Sequence, residues 1–99
     1  MKYVSVDPDP EAKADFVRML DVPGEFDAAL VFETLEHMTP EDGVALCAAI
    51  RAKLRAGGAV FVSVPSIHTP GRFQRDCTHL TPYAHDELAA VLELAGFTP

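Results

Sequence analysis

The 99-residue sequence lacks most of the features that announce a function class. It has no apolar run long enough to cross a bilayer, so no membrane span is expected. It has no low-complexity segment, internal repeat or linker. Cysteine is scarce: Cys47 and Cys77 stand thirty residues apart, in no metal-like spacing. They are expected to be reduced thiols in a cytoplasmic chain. The opening segment, MKYVSVDPDP, turns acidic after five residues and is not expected to act as a signal peptide. Bases are few, eight Lys and Arg against fifteen Asp and Glu, for a net charge of −7. That balance disfavours nucleic-acid binding, which wants a basic face. Acids are missing in turn between Gly43 and Arg75, where Arg51, Lys53, Arg55, Arg72 and Arg75 stand alone. Either this is a solvated helix end and loop, or it edges a site that receives an anion.

What is present suits one small globular domain over residues 1–99: 48% apolar and 23% charged. The alternating KYVSV (2–6) predicts a strand, stopped by the prolines of DPDP. ADFVRML (14–20) is expected to form a second short strand, with a single helical turn as the alternative. FDAALVF (26–32) is continuously apolar after Asp27, as in a strand covered on both faces. Thr39 is an N-cap candidate, followed by Pro40 at the first helical position and Asp42 three residues after the cap. The helix is expected to run to Gly57-Gly58, with Leu46, Cys47, Ile50 and Leu54 on its apolar face. AVFVSVP (59–65) predicts a strand, 66–82 a long loop, and 84–95 a helix closed by Gly96. FTP (97–99) resembles the start of a further strand. Strands alternating with helices predict an α/β fold with a mostly parallel sheet. Ligands then bind beyond the carboxyl ends of the strands.

Three stretches could carry chemistry. Asp7 stands at a strand tip, where an acid can accept from a ribose diol; spacing alone favours the competing reading, a turn-forming role within DPDP. No Gly-rich turn precedes it in this sequence. Glu36-His37 is either a functional pair or an ordinary polar helix entry. In RDCTH (75–79), Asp76 and His79 could form an acid–base pair or simply stabilise the loop. His68, Cys77 and His85 lie nearby in sequence, but no second ligand pair stands at zinc spacing, so no metal is expected.

Taken together, the segments resemble the class I S-adenosylmethionine-dependent methyltransferases, in particular the branch acting on small molecules, glycans or lipids. FDAALVFETLEHM is similar to that family's strand-4 motif, with its Leu-Glu-His. IRAKLRAGGAVFVSVP resembles the helix ending in Gly-Gly followed by strand 5, and THLTPYAHDELAAVLELAGF the segment ending in Ala-Gly-Phe. YVSVDPDPEAKADFVRML resembles strand 2, the ribose acid and strand 3. The resemblance implies a partial Rossmann-like methyltransferase sheet, flanked by helices. It lacks the family's strand 1 with its Gly-rich turn, and the strands beyond Phe97, so the domain is expected to be truncated at both ends.

The resemblance also implies roles. Asp7 and Pro8 would bind the ribose and adenosine of S-adenosylmethionine, and Met19 and Leu20 would flank its adenine. Met19 departs from the aspartate often found there. Phe32, Glu33 and Glu36 would line the methionine end of the cofactor. His37 and His79 are the candidate catalytic bases. Arg72, Arg75 and Tyr83 would meet an acceptor that carries a phosphate or carboxylate. The expected activity is methyl transfer to a small-molecule, glycan or lipid acceptor. The alternatives are a non-catalytic remnant that dimerises or binds a partner through unfilled sheet edges, and another nucleotide-binding α/β protein.

Overall fold

The computed structural model describes residues 3–98. Its regular elements are β1 (Phe26–Phe32), α1 (Pro40–Arg51), β2 (Leu54–Ser63) and α2 (His85–Leu94). The two strands pair in parallel, with Leu30 opposite Phe61 and Val31 opposite Val62. A parallel pair needs a crossover between its strands, and α1 supplies it. The fold is therefore α/β, with two strands where the sequence suggested more.

Side chains alternate across the pair, as the pleat requires. Val31 is buried and Val60 and Val62 pack against the core, while Leu30, Phe32 and Phe61 point outward and are more than half exposed. The inner face meets α1 through Cys47 and Ile50, and α2 through Val91 and the C-cap residue Ala95. Leu35 and Tyr83 complete this core from the loops.

α1 begins as expected. Thr39 is the N-cap, its hydroxyl accepts the Asp42 amide at 3.2 Å, and Pro40 follows. It ends at Arg51 instead of reaching Gly57-Gly58. Leu54 leaves the helix face and pairs with Phe26 across the sheet. The glycines instead form an irregularity within β2, where the register jumps from Phe26–Leu54 to Ala28–Ala59. Gly57 has φ of +81°, and a Cβ on Gly58 would lie 2.9 Å from the Arg55 carbonyl and 3.0 Å from that of Asp27. Only glycine fits that approach. An exposed ion pair between Arg55 and Asp27 spans the same irregularity.

α2 closes as its sequence suggests. The Gly96 amide donates to the Glu93 carbonyl and the Phe97 amide to that of Leu92, a Schellman cap. Gly96 supplies the φ of +103°. No strand follows at Phe97 and Thr98, and Pro99 lies outside the described residues.

The amino-terminal segment departs most from expectation. The strands expected at 2–6 and 14–20 reduce to one parallel bridge between Val6 and Phe16; Lys2 lies outside the described residues. Side chains satisfy the backbone in place of a ladder. Asp15 accepts from both the amide and the hydroxyl of Ser5, and Asp9 caps a single 3-10 turn at Pro10–Ala12. Met19–Asp21 forms a second such turn. Met19 packs against the core and Val22 is buried, tying this segment down.

No helix among the described residues is long and apolar enough to cross a membrane.

Candidate functional site

β1 ends at Phe32, and the chain turns sharply at Glu33, whose φ of 51° is uncommon for a residue with a Cβ. Its amide still donates to the Ser63 carbonyl at 2.9 Å, so the turn is anchored to the end of β2. Beyond it, a 3-10 turn at Leu35–His37 drops Leu35 and Glu36 into the interior and leaves His37 at the surface.

The long loop between β2 and α2 returns to this turn. The Glu36 carbonyl accepts from the amides of Leu80, at 2.6 Å, and Thr81, at 3.1 Å. The Thr81 hydroxyl donates to the Met38 carbonyl at 2.7 Å. This backbone clamp sets His79 beside Glu36 and His37, past the carboxyl ends of both strands.

The Glu36 side chain is 1% exposed, and neither carboxylate oxygen has a hydrogen-bond partner. Its Oε2 lies 3.9 Å from Nε2 of His37 and 3.8 Å from Nε2 of His79. Burial raises the Glu36 pKa above the ordinary carboxylate value, and the Glu33 carboxylate adds to that rise; its own backbone and the two histidines work against it. The histidine rings meet edge to face, with centroids 4.8 Å apart.

Both rings are oriented from behind. Nδ1 of His79 lies 2.8 Å from the Phe73 carbonyl. A carbonyl can only accept, so Nδ1 carries the hydrogen and the neutral ring presents a lone pair at Nε2. Nδ1 of His37 lies 2.9 Å from the Thr78 hydroxyl, and that hydroxyl donates its one hydrogen to Asp76 at 2.6 Å. Toward His37 it must accept, so Nδ1 again holds the hydrogen and Nε2 is free. The two hydrogen bonds from Thr78, first the hydroxyl and then the amide, hold the Asp76 carboxyl below its usual value. Asp76 Oδ2 also lies 3.5 Å from Nε2 of His79.

Four of the residues singled out in the sequence, Glu36, His37, Asp76 and His79, thus form one cluster. Glu33 stands at its rim, with its carboxylate 3.4 Å from the Ser63 hydroxyl. The others lie elsewhere. Asp7 spends an oxygen on the Asp9 amide at 2.9 Å, in the turn that its sequence also suggested, beside an exposed Pro8. Met19 faces the core, while Leu20 and Phe32 are exposed. Arg72 and Arg75 are exposed on the turns of the long loop, where Arg75 lies over Gly71. Tyr83 is a core residue, 5% exposed, with its hydroxyl against Gly43 and without a hydrogen-bond partner. Thr78 and the Phe73 carbonyl, which orient the rings, were not foreseen. The Asp-x-Thr spacing of an Asx turn was the available signal for Thr78, whose amide donates to Asp76 at 2.8 Å.

Comparison of the chain with protein-family models, with curated proteins and with solved structures finds no match in any of the three.

Proposed function

We propose that this domain takes part in S-adenosylmethionine-dependent methyl transfer to a small acceptor, with Glu36, His37 and His79 on the acceptor side. One observation supports this above the rest: the cluster gathers past the carboxyl ends of two parallel strands, the place where open α/β sheets bind their ligands. The Leu-Glu-His and Ala-Gly-Phe segments of the sequence point the same way. A sulfonium is already an activated donor, so the protein's main task is to hold donor and acceptor in line. A neutral Nε2 on His37 or His79 can take the proton of an acceptor hydroxyl. Arg72 and Arg75, exposed on the long loop that also carries His79, are the proposed contacts for an anionic group on that acceptor. Asp7, Pro8, Met19, Leu20, Phe32 and Glu33 are the proposed cofactor contacts.

Calorimetric titration of the 99-residue chain with S-adenosylhomocysteine tests this. Micromolar binding that is lost in Asp7→Ala is the expected result. No binding at millimolar ligand removes the proposal.

A specific feature favours a second function. Leu30, Phe32 and Phe61 make an exposed apolar patch on the outer sheet face, and Leu30 and Phe61 are register partners. Each strand also has one free edge among the described residues. Such a surface suits association with a second copy. Sedimentation of the wild type should then show a dimer, and Phe61→Lys a monomer; a monomeric wild type at high concentration counts against this role.

A further inference from the structure

We propose that Glu36, His37 and His79 bind one divalent first-row transition-metal ion, of the zinc type, through the Glu36 carboxylate and both Nε2 atoms. The inference does not depend on methyl transfer.

Four observations converge on it. The ligand atoms of the three residues all lie within 4.8 Å of one another. A tetrahedral zinc with bonds of about 2.0–2.2 Å holds its ligands roughly 3.3 Å apart. The observed 3.8 and 3.9 Å from Glu36 Oε2 to the two Nε2 atoms need a contraction of about 0.5 Å, and the widest separation in the set, within 4.8 Å, needs up to about 1.5 Å, taken up by rotation of the exposed His37 ring. Next, the Glu36 carboxylate is buried with both oxygens unpaired. A buried carboxylate in that condition is costly unless something compensates it. A cation within reach of both imidazoles does so.

The outer partners then match what metal-binding histidines require. Such rings donate their second N–H to a carbonyl or an acceptor behind them, which fixes the tautomer and aims the lone pair. Here the Phe73 carbonyl serves His79, and the Thr78 hydroxyl, itself bonded to Asp76, serves His37. Without an ion, each Nε2 lies within 4 Å of the Glu36 carboxylate and makes no hydrogen bond to it. Finally, His37 is 38% exposed at its side chain, against 9% for His79 and 1% for Glu36. The site therefore opens on the His37 side, which gives an ion an entry path from solvent. Two imidazoles and one carboxylate favour zinc and its neighbours over magnesium or calcium, which prefer all-oxygen sets.

The Nε2 atoms cannot both bind a metal and act as bases. If the ion is present, acceptor activation falls to it, since a metal lowers the pKa of a bound hydroxyl. Metal binding is measured with no cofactor present, so its failure and the failure of the methyl-transfer proposal are separate results.

The test is titration of chelator-stripped chain with Co²⁺, read by visible absorption, and with Zn²⁺, read by calorimetry. One equivalent should bind, with the strong visible bands of low-coordinate Co²⁺. Glu36→Gln should weaken binding at least about ten-fold, and so should Thr78→Val, which leaves the three ligands in place but removes the acceptor behind His37. Cys77→Ser and His68→Ala, outside the ligand set, should leave it unchanged. Circular dichroism checks that each variant is folded; if Glu36→Gln is not, Thr78→Val and the wild-type Co²⁺ spectrum carry the test. The proposal is overturned if the wild type binds neither ion at millimolar concentration, if folded Glu36→Gln binds as tightly as wild type, or if Cys77→Ser abolishes binding.

Discussion

The amide of Leu80 donates to the carbonyl of Glu36 at 2.6 Å, and this long-range bond joins the two halves of the candidate site. The Thr81 hydroxyl reinforces it on the Met38 carbonyl. Thr81→Val keeps the shape and removes that donor, leaving a partly buried carbonyl unpaired. It should cost about 1 kcal/mol in denaturant unfolding. The Leu80 amide should also lose hydrogen-exchange protection relative to wild type. Unchanged stability and unchanged exchange would show that the clamp does not depend on Thr81.

Thr39 and Thr34 stand five residues apart, each before a helical turn, but their side chains do different things. The Thr39 hydroxyl accepts the Asp42 amide, whereas the Thr34 hydroxyl donates back to the Phe32 carbonyl and caps nothing. Thr39→Ala should therefore destabilise the domain by about 1 kcal/mol. Thr34→Ala should cost clearly less. Chemical denaturation of the two variants side by side decides it, and equal losses would contradict the assignment of the cap.

The helix starts, β1, the long loop and the Gly96 cap were legible because each is written in local chemistry: a Thr-Pro entry, an apolar run, a left-handed glycine. The end of α1 was not, because Leu54 fits an apolar helix face and equally a strand; its pairing with Phe26 is a tertiary choice. Gly57-Gly58 read as a helix stop for the same reason, though the pair serves a close backbone approach inside β2. ADFVRML has strand-like composition, yet the neighbouring prolines and the Ser5–Asp15 bonds leave it only one bridge. At the site, Glu36, His37 and His79 could be picked out one by one. Their meeting could not, because it rests on the backbone of Glu36 receiving a segment from the far side of β2.

The two thiols should separate cleanly by reactivity. Cys47 is 0% exposed in the core, and burial pushes its pKa up, so little reactive thiolate forms at neutral pH. Cys77 is exposed on the long loop. Iodoacetamide at neutral pH should modify Cys77 rapidly and Cys47 only after denaturant is added, as peptide mass mapping will show. Rapid native-state labelling of Cys47 would mean that the α1 face opens readily.

Tyr83 offers the sharpest stability test, because its hydroxyl is buried without a partner. Removing such a group avoids a desolvation cost, so Tyr83→Phe should raise stability by about 1 kcal/mol. It should also change the alkaline limb of the pH profile. Burial, with smaller contributions from Cys47 and nearby carboxylates, raises the Tyr83 pKa above its ordinary 10.0. Below that value both folded and unfolded chains hold the proton, and the stability is fully present. Above it the unfolded chain releases the proton first, and stability falls as pH rises toward the folded pKa. Cys47 adds a like decline, beginning near its ordinary 9.0. Thermal unfolding from neutral pH to pH 11 should therefore show wild type weakening from about pH 9 onward. Tyr83→Phe should keep the decline due to Cys47 and lose the added steepness above about pH 10. A Tyr83→Phe profile parallel to wild type throughout would show that the hydroxyl ionises as easily in the folded chain as in the unfolded one.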